Sequence, residues 1–225
     1  MKKIAFTLAE LSLIFFIMAV LAVLFFLLKR WLYKKQREYS SNSYWENRYD
    51  WYKQTMDWYA NYSKANEDFK IEEIIQEQFN EKKSKLKILE LGCGNSDFAS
   101  DMYDRGYTNY TAIDYSKNVI KQMNEKFQNK KINFMCADYL QLDKTFEKKQ
   151  FDIIIEKAGL DSIVTKETKD VPELLFSAYQ QIHFALKDNG ILLSISNKNP
   201  EYWKENAFKK IVKHKLFKVH QIKRM

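Results

Sequence analysis

The sequence predicts an α/β domain built on a doubly wound, mostly parallel sheet, with one N-terminal transmembrane helix ahead of it. Three observations carry this. Lys87-Ile88-Leu89-Glu90-Leu91-Gly92-Cys93-Gly94-Asn95-Ser96 is an apolar run that leads straight into a glycine turn. From there to Ser196, short apolar strand patterns alternate with helical ones, and such alternation implies a parallel sheet covered on both faces. Residues 11–28 are an uncharged run of 18, long enough to enter a bilayer as a helix.

The apolar stretch reaches back to Ile4 apart from Glu10, so residues 4–28 are expected to meet the lipid bilayer. A cleaved signal peptide is the alternative, but its apolar region is shorter and ends in small residues. Here the run ends in Lys29-Arg30-Trp31-Leu32-Tyr33-Lys34-Lys35, which is basic and aromatic and favours a retained single-pass anchor. Lys2 and Lys3 face five Lys/Arg in 29–37, so the positive-inside rule places the domain on the cytosolic or matrix side. No arginine- and serine-rich presequence opens the chain. The membrane is therefore either the mitochondrial inner membrane, which we prefer, or the endoplasmic reticulum. Glu10 is costly in hydrocarbon unless it sits at the interface or meets a partner helix. The expected division is an anchor with a basic juxtamembrane segment at 1–37 and one domain at 38–225, since the length leaves no room for a second folded domain.

The net charge of +8 is unevenly placed. Residues 1–37 hold seven Lys/Arg and one acid, residues 204–225 hold eight and one, and the middle holds 22 against 27. The domain is thus mildly acidic with basic ends, which argues against a nucleic-acid partner. Cys93 and Cys136 fall at predicted strand ends with no C-x-x-C pattern or histidine cluster, implying a reducing compartment and no metal site.

Residues 38–63 are dense in aromatics, and Trp51, Tyr52 and Tyr62 are expected to pack a helix onto the sheet. Helical spacing covers 64–81, and 81–85 is a solvated turn. After the glycine strand come a helix at 98–105 stopped by Gly106, a strand at 110–114, and a helix to 127 capped by Ser116. Strands at 132–136 and 151–156 follow. Pro172 opens a helix to 186, and Asn189-Gly190 introduces a strand at 191–196. A helix at 201–213 and one strand at 216–222 close the chain.

Gly92 and Gly94 allow a sharp turn and close approach of a ligand to the backbone, and Asn95 and Ser96 stand where a helix N-cap belongs. A lone G-x-G is weak, but its neighbours strengthen it. Asp114 ends the second strand 20 residues after Gly94, where a carboxylate accepts from both ribose hydroxyls. Asp138 ends the third, placed to accept from an adenine amine. No phosphate-gripping lysine follows the glycines, so ATP is disfavoured and the pattern describes an adenosine without a long phosphate chain.

With these acids, Glu90 and Gly92-Cys93-Gly94, the chain resembles the Rossmann-like class I S-adenosylmethionine-dependent methyltransferases. A narrower resemblance rests on Leu91 to Ser96, Tyr103-Asp104-Arg105-Gly106-Tyr107, Ile113-Asp114-Tyr115-Ser116, residues 151–157, Tyr44-Trp45-Glu46-Asn47-Arg48-Tyr49 and Asp57-Trp58-Tyr59. Over residues 44–197 the chain is similar to the lysine methyltransferases of the methyltransferase-like 13 group, which act on elongation factor 1-alpha and citrate synthase. The resemblance implies S-adenosyl-L-methionine as cofactor and a protein substrate. It implies that Trp45, Tyr49 and Trp58 close over the methionine end, where a sulfonium beside aromatic faces is favourable. Glu90 then orients the turn or meets the ammonium, Tyr115 stacks near adenine, and Tyr139 lies beside Asp138. Lys157 lies on the cofactor side, and Glu156 faces the substrate entrance as the catalytic residue that holds a substrate ammonium.

Two departures stand out. The family's Lys-Gly-Thr-Leu-Asp appears as Lys157-Ala158-Gly159-Leu160-Asp161, and the sheet is expected to be shortened after strand six, without the antiparallel strand seven. The function expected is a membrane-anchored methyltransferase acting on a protein lysine. The alternative is a catalytically idle accessory or assembly subunit of a membrane complex, such as one of the mitochondrial inner membrane; the shortened sheet edge is then either open or covered by another chain.

Overall fold

The computed structural model describes residues 8–39, 41–51, 53–165, 170–198, 202 and 219–222. The chain divides into two compact units, Met1–Tyr39 and Ser40–Met225. In the first, α1 (Leu8–Glu38) contains Ser12–Trp31, mean hydropathy 2.7, among the described residues the one helix long and apolar enough to cross a membrane. Its large apolar side chains from Leu13 to Trp31 are exposed to the surroundings. Residues 4–7 of the expected span lie outside the described residues.

The second unit begins with α2 (Asn42–Trp51), α3 (Tyr62–Phe69) and α4 (Ile71–Gln78). It continues with β1 (Ile88–Leu91), α5 (Phe98–Asp104), β2 (Tyr110–Asp114), α6 (Lys117–Lys126), β3 (Asn133–Cys136), β4 (Phe151–Lys157) and α7 (Gly159–Val164), then α8 (Val171–Ala185), β5 (Leu186–Ile195) and β6 (Val219–Ile222). The strands form one sheet in the order β3-β2-β1-β4-β5-β6, and every pairing is parallel. Strand order reverses between β1 and β4, so their C-terminal ends flank the crevice in which open α/β sheets bind ligands.

β1 is buried on both faces, as an inner parallel strand must be. Ile88 belongs to a core with Tyr62, Ile75, Phe98, Met102 and Met123, whereas Leu89 and Leu91 belong to one with Leu160, Leu175, Tyr179 and Ile182. Side chains alternate along a strand, and the register sets Glu90 beside Ile155 and Leu91 beside Glu156. Glu90 and Lys157 therefore share the first face, and Glu156 points to the second.

Several expectations are corrected. The helix over 64–81 is two helices, broken at Lys70 in the left-handed region (φ 57°), where the Asn66 side chain accepts the Glu72 N–H. The last long helix ends at Ala185, and β5 starts at Leu186 and runs through Asn189-Gly190. Gly190 is no turn residue there: a Cβ on it would lie 2.9 Å from the Asp152 carbonyl, beside the register shift between Phe151 and Ile153. Asp97, not Asn95 or Ser96, stands at the N-cap of α5, although the Ser96 hydroxyl accepts the Phe98 N–H at 3.1 Å. Trp51 is 86% exposed rather than packed, while Tyr62 is buried as expected and Tyr52 lies outside the described residues. Of the expected strand at 216–222, Val219–Ile222 are described and are strand, while 216–218 lie outside the described residues; of the expected helix at 201–213 only Tyr202 is described, as helical.

Candidate functional site

Gly92 (φ 64°) and Gly94 (φ 54°) are both left-handed, a conformation that favours glycine. The turn they make is pinned to β2 from two sides. The Cys93 N–H donates to the Ile113 carbonyl at 3.0 Å, and the Gly94 N–H donates to Asp114 Oδ2 at 3.0 Å. Asp114 Oδ1 accepts the Ser116 N–H at 2.9 Å, and the Ser116 hydroxyl caps α6 by accepting from the Val119 N–H. Burial pushes the Asp114 carboxyl up to about 6, against the lowering effect of those two N–H groups. Asp138 is likewise held by backbone, accepting the Leu140 N–H at 2.8 Å to cap a short 3₁₀ turn.

The aromatic cluster assembles over the turn. Trp45 and Tyr49 stack with centroids 6.0 Å apart, and Trp58 meets Trp45 edge-on at 5.8 Å. A Cβ on Gly94 would lie 2.8 Å from the Tyr49 hydroxyl oxygen, so the ring closes against bare backbone. Sequence reasoning missed what holds α2 in this place. Glu46 sits at the α6 N-terminus, accepting from the Ser116 hydroxyl at 2.8 Å and the Lys117 N–H at 3.0 Å. The signal was its position one residue after Trp45. The Tyr139 hydroxyl donates to the Gly159 carbonyl at 3.2 Å. The Tyr115 hydroxyl is buried and has no hydrogen-bond partner among the described residues.

Glu90 is buried, with Oε2 accepting the Tyr110 hydroxyl at 3.0 Å. Burial pushes it up to about 7, opposed by the Lys157 ammonium. Lys157 is the one buried cation among the described residues. Its Nζ donates to the Trp58 carbonyl at 3.3 Å and lies 3.4 Å from Asp57 Oδ1 and 5.6 Å from the Phe98 ring centroid. Asp57, to which the sequence pattern assigns no role, also accepts from the Ser96 hydroxyl. Residues 53–60 thus form a strap, tied at one end by the Asn95 amide to the Gln54 carbonyl and at the other by the Tyr59 hydroxyl to Asp161 Oδ2, each at 2.7 Å.

Glu156 requires correction. It does not face an entrance but is buried on the other face of the sheet from Lys157, because neighbouring strand residues point oppositely. Its carboxyl accepts from the Ser194 hydroxyl and the Leu160 N–H, fixing α7 to β5. Burial, reinforced by Asp161, pushes it up to about 8. Asp161 accepts from Tyr59, from the Ser196 hydroxyl at 2.6 Å and from the Asn197 N–H at 3.2 Å. The departure at 158–159 acquires a geometric meaning. Ala158 is left-handed (φ 66°), and Gly159 crosses Gly92 so closely that its Cβ would lie 3.3 Å from the Leu91 carbonyl.

A six-stranded parallel sheet with a glycine turn at its switch point and a buried acid at the end of the neighbouring strand is the arrangement of nucleoside-cofactor folds. The family model described as "Methyltransferase domain" matches residues 82–224. The chain belongs to this methyltransferase family, and S-adenosylmethionine is its cofactor. Among curated relatives, the mouse "eEF1A lysine and N-terminal methyltransferase" is 30% identical over 72% of this chain and 22% of its own length. The human protein of the same description is 29% identical over the same shares. The chain thus spans under a quarter of the length of these relatives. A crystal structure from Pyrococcus horikoshii is similar at 24% identity and a TM-score of 0.47, covering 65% of this chain and 63% of that one. The residues present fit the cofactor: two left-handed glycines leave the backbone bare at the switch point, and the Tyr115 hydroxyl is buried with no hydrogen-bond partner among the described residues.

Proposed function

We propose that this chain is a membrane-anchored methyltransferase that transfers a methyl group to a lysine side chain of a protein. The observation that carries the reading is Asp114, buried and fixed by the Gly94 and Ser116 N–H groups at the end of β2, beside an aromatic cluster that closes on the turn. The cofactor supplies an electrophilic methyl on a sulfonium, whose departure as a neutral thioether needs positioning more than a strong base. In this reading Asp114 and Tyr115 hold the ribose and adenine side, and Asp138 and Tyr139 hold the adenine edge. Trp45, Tyr49 and Trp58 exclude water and face the cation, while Lys157 and Glu90 meet the amino-acid end. The relatives named for lysine methylation support a protein acceptor. The exposed apolar helix supports insertion in a bilayer, with the domain facing the cytosol or the mitochondrial matrix and the inner membrane as the preferred address.

Calorimetric titration of the full chain in detergent micelles with S-adenosylmethionine tests the site, and methyl transfer to a membrane-fraction lysate tests the acceptor. Micromolar binding with label on protein lysines is expected. Binding without transfer favours the accessory-subunit role, and absence of binding removes the enzyme reading. Retention of the full-mass chain in membranes after alkaline extraction is expected; release or a shortened chain overturns the anchor.

A further inference from the structure

On the cofactor assignment above, we propose that Asp57 competes with the cofactor's α-carboxylate for Lys157, so that the 53–60 strap is displaced at its middle whenever that carboxylate binds. A buried ammonium needs an anionic partner, because desolvation penalises the lone charge. The Lys157 side chain is 4% exposed, and its near carboxylates differ in freedom. Glu90 stands on β1, fixed by the Tyr110 hydroxyl. Asp57 stands on an irregular segment, is 20% exposed, and reaches both Lys157 Nζ and the Ser96 hydroxyl at the glycine turn.

These two donors are what a ligand carboxylate arriving at the turn would seek. With Asp57 in place, such a ligand brings a second anion to a cation whose other carboxylate neighbour, Glu90, is pushed up to about 7 by burial, and of the two residents only Asp57 lies outside helix and strand. The ties on either side of it, Gln54 to Asn95 and Tyr59 to Asp161, leave the middle of the strap to give way. Trp58 is next in the chain and its carbonyl also accepts from Lys157, so displacing Asp57 strains that hydrogen bond too. Asp57 is therefore a specificity residue: it sets how much a ligand gains from carrying an amino-acid carboxylate.

The test compares two probes by calorimetry on the full chain in detergent micelles. S-adenosylhomocysteine carries the carboxylate, and 5′-methylthioadenosine has the same nucleoside thioether without it. Asp57→Asn keeps the shape and removes the charge, and Asp57→Ser serves as a second variant, with thermal unfolding reporting that each is folded. The expected result is about fivefold tighter S-adenosylhomocysteine binding in either variant with 5′-methylthioadenosine unchanged. Unchanged or weaker S-adenosylhomocysteine binding overturns the proposal, as does an equal shift for both probes, which marks a merely structural effect. If the wild type binds neither probe but a variant binds S-adenosylhomocysteine, the competition stands in its strongest form. If no form binds either probe, the cofactor assignment falls and the competition with it.

Discussion

The ends of β1, β2 and β3 and the ends of β4 and β5 both carry buried or half-buried carboxylates, and they hold them by different means. On the first side Asp114 and Asp138 each accept from a backbone N–H two residues on, and Asp114 also from the Gly94 N–H of the glycine turn. On the second side Glu156 and Asp161 accept largely from hydroxyls far away in sequence: Ser194, Ser196 and Tyr59. The first arrangement is rigid because the backbone itself is the donor. The second depends on β5 and the strap arriving correctly, which suits a side that fixes α7.

The sharpest way to break this comparison is to neutralise one acid on each side. Asp114→Asn is expected to weaken S-adenosylhomocysteine binding by about 100-fold, the loss of charge-assisted hydrogen bonds worth about 2–3 kcal/mol. Asp161→Asn is expected to leave it within about threefold. Equal losses in calorimetry would show that the two sides act as one. The pH profile sharpens the same point, because burial pushes the Asp114 carboxyl up to about 6. Binding is expected to weaken as pH falls below that value, where the carboxyl no longer accepts two hydroxyls.

Gly94→Ala asks whether the turn tolerates a side chain at φ 54° with the Tyr49 oxygen 2.8 Å from the new Cβ. A stability loss of about 1–3 kcal/mol is expected in denaturant unfolding, together with weaker binding. Glu156→Gln probes the other side. A carboxyl raised from 4.5 to about 8 is favoured neutral by the fold, so its contribution is complete below pH 4.5 and is lost as pH rises through about 8. The variant is expected to lack that decline, which at about 1.4 kcal/mol per pH unit reaches several kcal/mol by pH 8, while changing little at pH 4.5. The smallest effect belongs to Ala158→Gly, which relieves a left-handed alanine and is expected to stabilise the domain by about 1 kcal/mol in thermal unfolding.

The glycine turn and its acid were legible in the sequence because their logic is local. An apolar run, two glycines and an acid at the end of the next strand specify the turn and its partner with no knowledge of the rest of the chain. Ser116 as a cap was legible for the same reason. Glu156 was misplaced because strand end alone does not fix a face. The alternation that separates it from Lys157 was present in the sequence, but which face holds the crevice follows from the packing of α7 and α8. Asp57 was quoted without a role because an acid before a tryptophan in a loop has no local signature, and its meaning arises 100 residues away at Lys157.

By itself the sequence determined the order of strands and helices, the parallel sheet, the glycine turn with its acid, and an apolar helix ahead of the domain. Those follow from periodicity, chirality and backbone sterics, which act over a few residues. Tertiary structure alone decided that Glu46 would anchor α2 on α6, that Lys70 would break a helix, that Gly159 would cross Gly92, and that a strap would bring Asp57 to a buried lysine. Each of these joins residues whose proximity the chain acquires only by packing, and a buried charge or a missing Cβ matters only once neighbours surround it.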